Sequence, residues 1–133
     1  MNKENLLRMA NHIETIPQED FNMYSFRKVG SSMGIECNSV GCAIGHCTIL
    51  DIENIQNNFI DGEYDMIEFT DWSKDFTGVT NMGWNYLFSS KWRVVDNTPK
   101  GTANRIRHVV KHGFPNYIDM KQELNGHKKL SYE

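Results

Sequence analysis

The chain has 133 residues, 39% of them hydrophobic, and a formal charge of −3. That length suits one domain burying about two thirds of the surface its unfolded form exposes, so no staple is required. The three cysteines, Cys37, Cys42 and Cys47, are odd in number and five apart, which fits neither a disulfide framework nor a CxxC knuckle and predicts reduced thiols in a cytoplasmic protein. The acidic balance gives no general attraction to nucleic acid or anionic lipid. The charged N-terminus lacks the apolar core of a signal peptide, and no apolar run approaches the ~20 residues needed to span a bilayer.

Residues 3–16 place Leu6, Met9, Ala10, Ile13 and Ile16 at helical spacing with Pro17 just beyond, predicting an amphipathic first helix with one stripe inward. Residues 18–28 carry Phe21, Met23, Tyr24 and Phe26 as pegs for an irregular segment or a single helical turn. Residues 29–38, with Gly30, Ser31, Ser32 and Gly34, read as a loop lacking both GxGxxG and a P-loop lysine. Residues 39–55 are expected as one helix in the middle of the core, because from Val40 to Leu50 every residue except His46 and Thr48 is apolar or small. Gly41 and Gly45 share a face of that helix, and since each costs about 1 kcal/mol against Ala, a closely approaching neighbour is their simplest reason.

Residues 56–62 read as polar turn, and residues 63–75, acidic around Tyr64, Met66, Ile67, Phe69 and Trp72, as mainly irregular with one helical turn near Trp72 and Phe76. Residues 80–90 predict a short helix capped by Thr80 or Asn81, with Trp84, Leu87 and Phe88 on one side. Trp92 follows, and residues 93–96 are expected to be extended. Residues 98–113 carry the strongest helix signals: Thr98 to cap, Pro99 at the first position, Gly113 to stop and Pro115 to forbid continuation. Ala103, Ile106, Val109 and Val110 form its inward stripe, with Arg105, Arg107, Lys111 and His112 outside. A last helix is expected over residues 118–124. The fold class is therefore mainly α, a single domain over residues 1–126 around a buried central helix, with residues 127–133 as a frayed tail.

Three groups of residues can carry chemistry. Cys42 and His46, four apart, share a helix face and are the candidate metal ligands, with Cys37, His108 and His112 available to complete a zinc site; the simpler reading is buried thiols and a hydrogen-bonded His46, with no cofactor. A Cys–His hydrolase would use Cys37 or Cys47 as thiolate, His46 or His108 as base, and Asp51 or Asp96 as orienter; Cys37, near the start of the central helix, is best placed for activation. The basic face of Lys100, Arg105, Arg107, Lys111 and His112, with the rim from Trp84 to Trp92, is the candidate binding surface for an acidic protein partner, ranked above nucleic acid.

Three blocks carry a resemblance: Phe21-x-Met23-x-x-Phe26; Cys37-x4-Cys42-Ala43-Ile44-Gly45-His46; and Tyr86-Leu87-Phe88-x3-Trp92-x3-Asp96-Asn97-Thr98-Pro99-x-Gly101-x-Ala103-x-Arg105-Ile106. In order and spacing, over residues 3–115, the chain resembles a group of small bacteriophage and prophage proteins with no assigned activity. It departs from that pattern at Asn38, where Gly often follows the first Cys, and at His46, where Trp is frequent. The resemblance implies a viral context, hence a non-catalytic accessory protein in the host cytoplasm that binds a host protein and counters host defence. The alternatives are a small Cys/His or zinc-dependent hydrolase and a protein that sequesters a small ligand such as a nucleotide.

Overall fold

The computed structural model describes residues 1–21, 43–58, 66–89 and 91–126. Helix α1 (Lys3–Ile13) starts where the Asn2 side chain accepts the Asn5 N–H at 3.0 Å, and it buries Leu6, Met9, Ala10 and Ile13 completely. Burying each of the three larger side chains is worth roughly 1.5–3 kcal/mol. That stripe lies against helix α7 (Pro99–His112), which turns Ala103, Ile106 and Val109 inward; this is the most extensive helix pairing among the described residues. Arg107 clasps its outer edge, donating to Glu14 at 2.8 Å and Asn11 at 2.9 Å.

Helix α2 (Ala43–Cys47) has all five residues buried, as expected of the central segment. The continuous helix predicted there is interrupted, however, because Thr48–Asp51 tightens into a 3-10 turn before helix α3 (Ile52–Asn58). The Thr48 hydroxyl donates back to the Gly45 carbonyl at 2.9 Å, a local bond that competes with the regular ladder. The Asp51 carboxylate is drawn aside to accept from Trp72 Nε1 at 2.9 Å and Asn54 Nδ2 at 2.8 Å. Gly41 and the loop of residues 29–38 lie outside the described residues, as do Met23, Tyr24, Phe26 and the expected tail of residues 127–133. Phe21 is buried behind a single 3-10 turn, Gln18–Asp20.

Helix α4 (Met66–Thr77) corrects the reading of that stretch as irregular. Its inward face mixes Trp72 and Phe76, whose rings stack at 5.1 Å, with the fully buried Ser73 and Thr77. Both hydroxyls donate to carbonyls of their own helix, Thr70 at 2.9 Å and Ser73 at 2.6 Å, so polar residues enter the core with partners in place and the apolar period is hidden. The C-terminal carbonyls of α4 receive the start of α1, with the Asn2 N–H on Thr77 at 2.7 Å and Asn5 Nδ2 on Phe76 at 2.8 Å.

Helix α5 (Asn81–Phe88) follows, with Thr80 in the N-cap position but its side chain making no capping hydrogen bond, and Gly83 within it lies under the ring of Phe114. Of residues 93–96, expected to be extended, the first three instead complete a single helical turn, α6 (Trp92–Val95). Helix α7 begins as predicted, with the Thr98 hydroxyl accepting the Gly101 N–H at 3.0 Å, and it ends at Gly113, whose φ of +83° suits glycine. Helix α8 (Tyr117–Leu124) is capped by Asn116 and docks Met120, Glu123 and Leu124 inward. The protein is mainly α, and no described helix is long and apolar enough to cross a membrane.

Candidate functional site

A polar lattice inside the second half of the chain positions α5, α6, α7 and α8. Its centre is Arg105, fully buried on α7 rather than exposed as predicted. Its guanidinium lies 3.8 Å from the centre of the Trp92 ring, its Nη2 donates to Thr102 at 2.9 Å, and its Nη1 stands 3.5 Å from the Asp96 carboxylate. A planar cation on an indole face beside a carboxylate offsets part of the cost of burying the charge. Trp92, also expected on the binding rim, is 3% exposed, and its indole N–H donates to the Tyr86 carbonyl. The Tyr86 hydroxyl donates to the buried Glu123 at 3.0 Å, which joins α5 to α8.

This lattice holds open a cleft of about 200 Å³ between α5 and α8. Tyr86, Met120 and Leu124 form its floor, Met82 and Tyr117 its apolar walls, and Lys91 and Lys121 its cationic edge. Met82 is 48% exposed, Tyr117 48% and Ile118, which follows it in sequence, 65%, so large apolar side chains face solvent beside the cleft. The Lys121 ammonium sits 5.1 Å from the Tyr117 ring. At about 200 Å³ the cleft is smaller than the ~300 Å³ from which drug-sized ligand pockets begin, so it suits an inserted side chain better than a whole nucleotide.

The other residues singled out from sequence are dispersed. Arg107 is committed to α1, while Lys111 and His112 are exposed. Trp84 is half-buried, donating to Ser73 at 2.8 Å under Lys74, and so belongs to the joint between α4 and α5. The His46 ring is buried with Nε2 donating to the Asp20 carbonyl at 2.6 Å, and the neighbouring Cys47 thiol is buried against the Met9 carbonyl. His108 lies on α7, beside His112. Cys37 and Cys42 lie outside the described residues, and among the described residues no three of His, Cys, Asp and Glu gather as a metal site.

Sequence reasoning missed Met82, Tyr117, Ile118 and Lys121. The available signal was in α8, where Tyr117 extends the stripe of Met120 and Leu124 to the helix start and Ile118 is apolar yet falls off it. The described architecture defines a small all-α protein with an apolar, cation-edged cleft. No family model, curated protein or solved structure matches the chain.

Proposed function

We propose that the chain is a phage-type accessory protein that acts without catalysis, binding a host protein through the cleft between α5 and α8. The observation that carries this reading is the exposed pair Met82 and Tyr117 lining a cleft edged by Lys91 and Lys121, with exposed Ile118 next to Tyr117 on α8, in a protein whose net charge is negative. Apolar anchors beside two cations suit a partner segment that presents an apolar side chain flanked by carboxylates. The bacteriophage resemblance supports a host protein as the partner and interference with host defence as the purpose.

The alternative of a Cys/His hydrolase draws no support from His46 and Cys47, whose Nε2 and thiol each meet a backbone carbonyl. Sequestration of a nucleotide draws no support from this cleft, which is small for one, and its candidate loop, residues 29–38, lies outside the described residues.

A photo-crosslinking amino acid placed at Ile118, and separately at Lys100, tests the reading in the bacterial cytoplasm. One discrete adduct is expected from position 118 and none from position 100, with Lys121→Glu suppressing the adduct while helicity is unchanged. Equal labelling from both positions, or an adduct indifferent to Lys121→Glu, would overturn it.

A further inference from the structure

We propose that His108 and His112 form a two-imidazole chelate for a divalent transition-metal ion of the nickel or zinc class, on the outer face of α7 and separate from the cleft. The two residues are four apart on one helix, so their side chains leave it one above the other. Their ring centres are 4.8 Å apart and their planes are inclined by 44°. An imidazole nitrogen sits about 2.0–2.1 Å from such an ion and about 1.1 Å from its own ring centre, so two rings meeting one ion at about 90–110° have centres roughly 4.5–5.2 Å apart. The observed spacing falls inside that range.

The surroundings favour the ion in two ways. His112 is exposed and His108 partly so, which leaves an approach from solvent. His112 also lies in the last turn of α7, beside Lys111, where the helix dipole is negative, while nearby Arg107 is turned toward Glu14. Because each ring has two nitrogens, coordination through one is compatible with other contacts through its second. The remaining coordination positions take water or a donor from a bound molecule, and imidazole suits nickel and zinc alike.

Titration of the full chain with Ni²⁺, followed through the imidazole resonances of all five histidines, tests the site. The first equivalent is expected to perturb His108 and His112 together, and His112→Ala to weaken binding by about tenfold or more through loss of the chelate. His12→Ala, on α1, serves as the control and leaves the affinity unchanged. Perturbation confined to other histidines, or an affinity insensitive to His112→Ala, would overturn the proposal; His112 is exposed, so that variant keeps its fold.

Discussion

The carboxylate of Asp96 fills the space that a Cβ on Gly101 would occupy, so these two residues together set the start of α7. The same carboxylate receives the Thr98 hydroxyl and faces Arg105. The segment from Asp96 to Gly101 thus works as one unit: an anion held over a helix N-terminus, a hydroxyl cap, a proline at the first position and a glycine that makes room.

Gly101→Ala is therefore expected to destabilise the protein by about 1–3 kcal/mol, since the methyl displaces Asp96 from Thr98 and Arg105. Helix propensity alone predicts the opposite sign, a gain of about 1 kcal/mol. In an Asp96→Ala background the obstruction is gone, and Gly101→Ala should become neutral or stabilising. Urea unfolding of the four proteins measures the cycle, and a stabilising Gly101→Ala in the otherwise natural chain would contradict the packing.

Arg105 and Arg107 are two positions apart but respond differently. Arg105→Ala removes a fully buried cation from Trp92 and Asp96 and is expected to cost about 3–5 kcal/mol. Arg107 makes a surface pair with a side chain 34% exposed, so Arg107→Ala should fall within the small effects typical of surface substitutions. Thermal unfolding distinguishes them, and equal losses at the two positions would place Arg105 wrongly.

Tyr86→Phe deletes the hydroxyl that reaches the buried Glu123 while keeping the ring that floors the cleft. The cost of a buried acceptor losing its donor is about 1–3 kcal/mol. Because that bond ties α8 to α5, amide exchange in Tyr117–Leu124 should accelerate more than in α1. Uniform acceleration would show that Glu123 does not depend on Tyr86.

Two groups give the protein an acid-side loss of stability. Burial, then His112, hold His108 below its ordinary value of 6.5, so the unfolded chain takes up this proton first on acidification. Its contribution is full above about pH 6.5 and is lost as pH falls toward the lowered value. The Arg107 hydrogen bond likewise holds Glu14 below its ordinary 4.5, giving a second contribution present above that pH and lost as pH falls through the lowered value. His108→Gln should flatten the upper part of the unfolding free energy against pH, and Arg107→Gln the lower part.

Helices α1 and α7 were legible because their determinants lie within a few residues of each other. A stripe at 3.6-residue spacing, a cap oxygen, a proline and a closing glycine act locally, and α7 runs between Thr98 and Gly113 as those signals require. The inwardness of Ala43, Ile44 and Cys47 was equally plain, since so apolar a segment has no other stable place. The mainly α fold class followed from these segments.

Tertiary structure alone decided which charges and aromatic residues were interior. Arg105 stands at the edge of the α7 stripe, where a cation normally reaches water; it is buried because Trp92 and Asp96, brought by the turn of α6, cover it. Helix α4 was hidden because Ser73 and Thr77 satisfy their hydroxyls within their own helix and so pass as core residues, and the central helix breaks where Thr48 bonds back to Gly45. The cleft depends on how far α8 stands from α5, which is set by Tyr86 meeting Glu123 across 37 positions of sequence. Capping and periodicity are written into neighbouring residues, whereas the burial of a charge and the width of a cleft depend on partners that only the folded chain brings together.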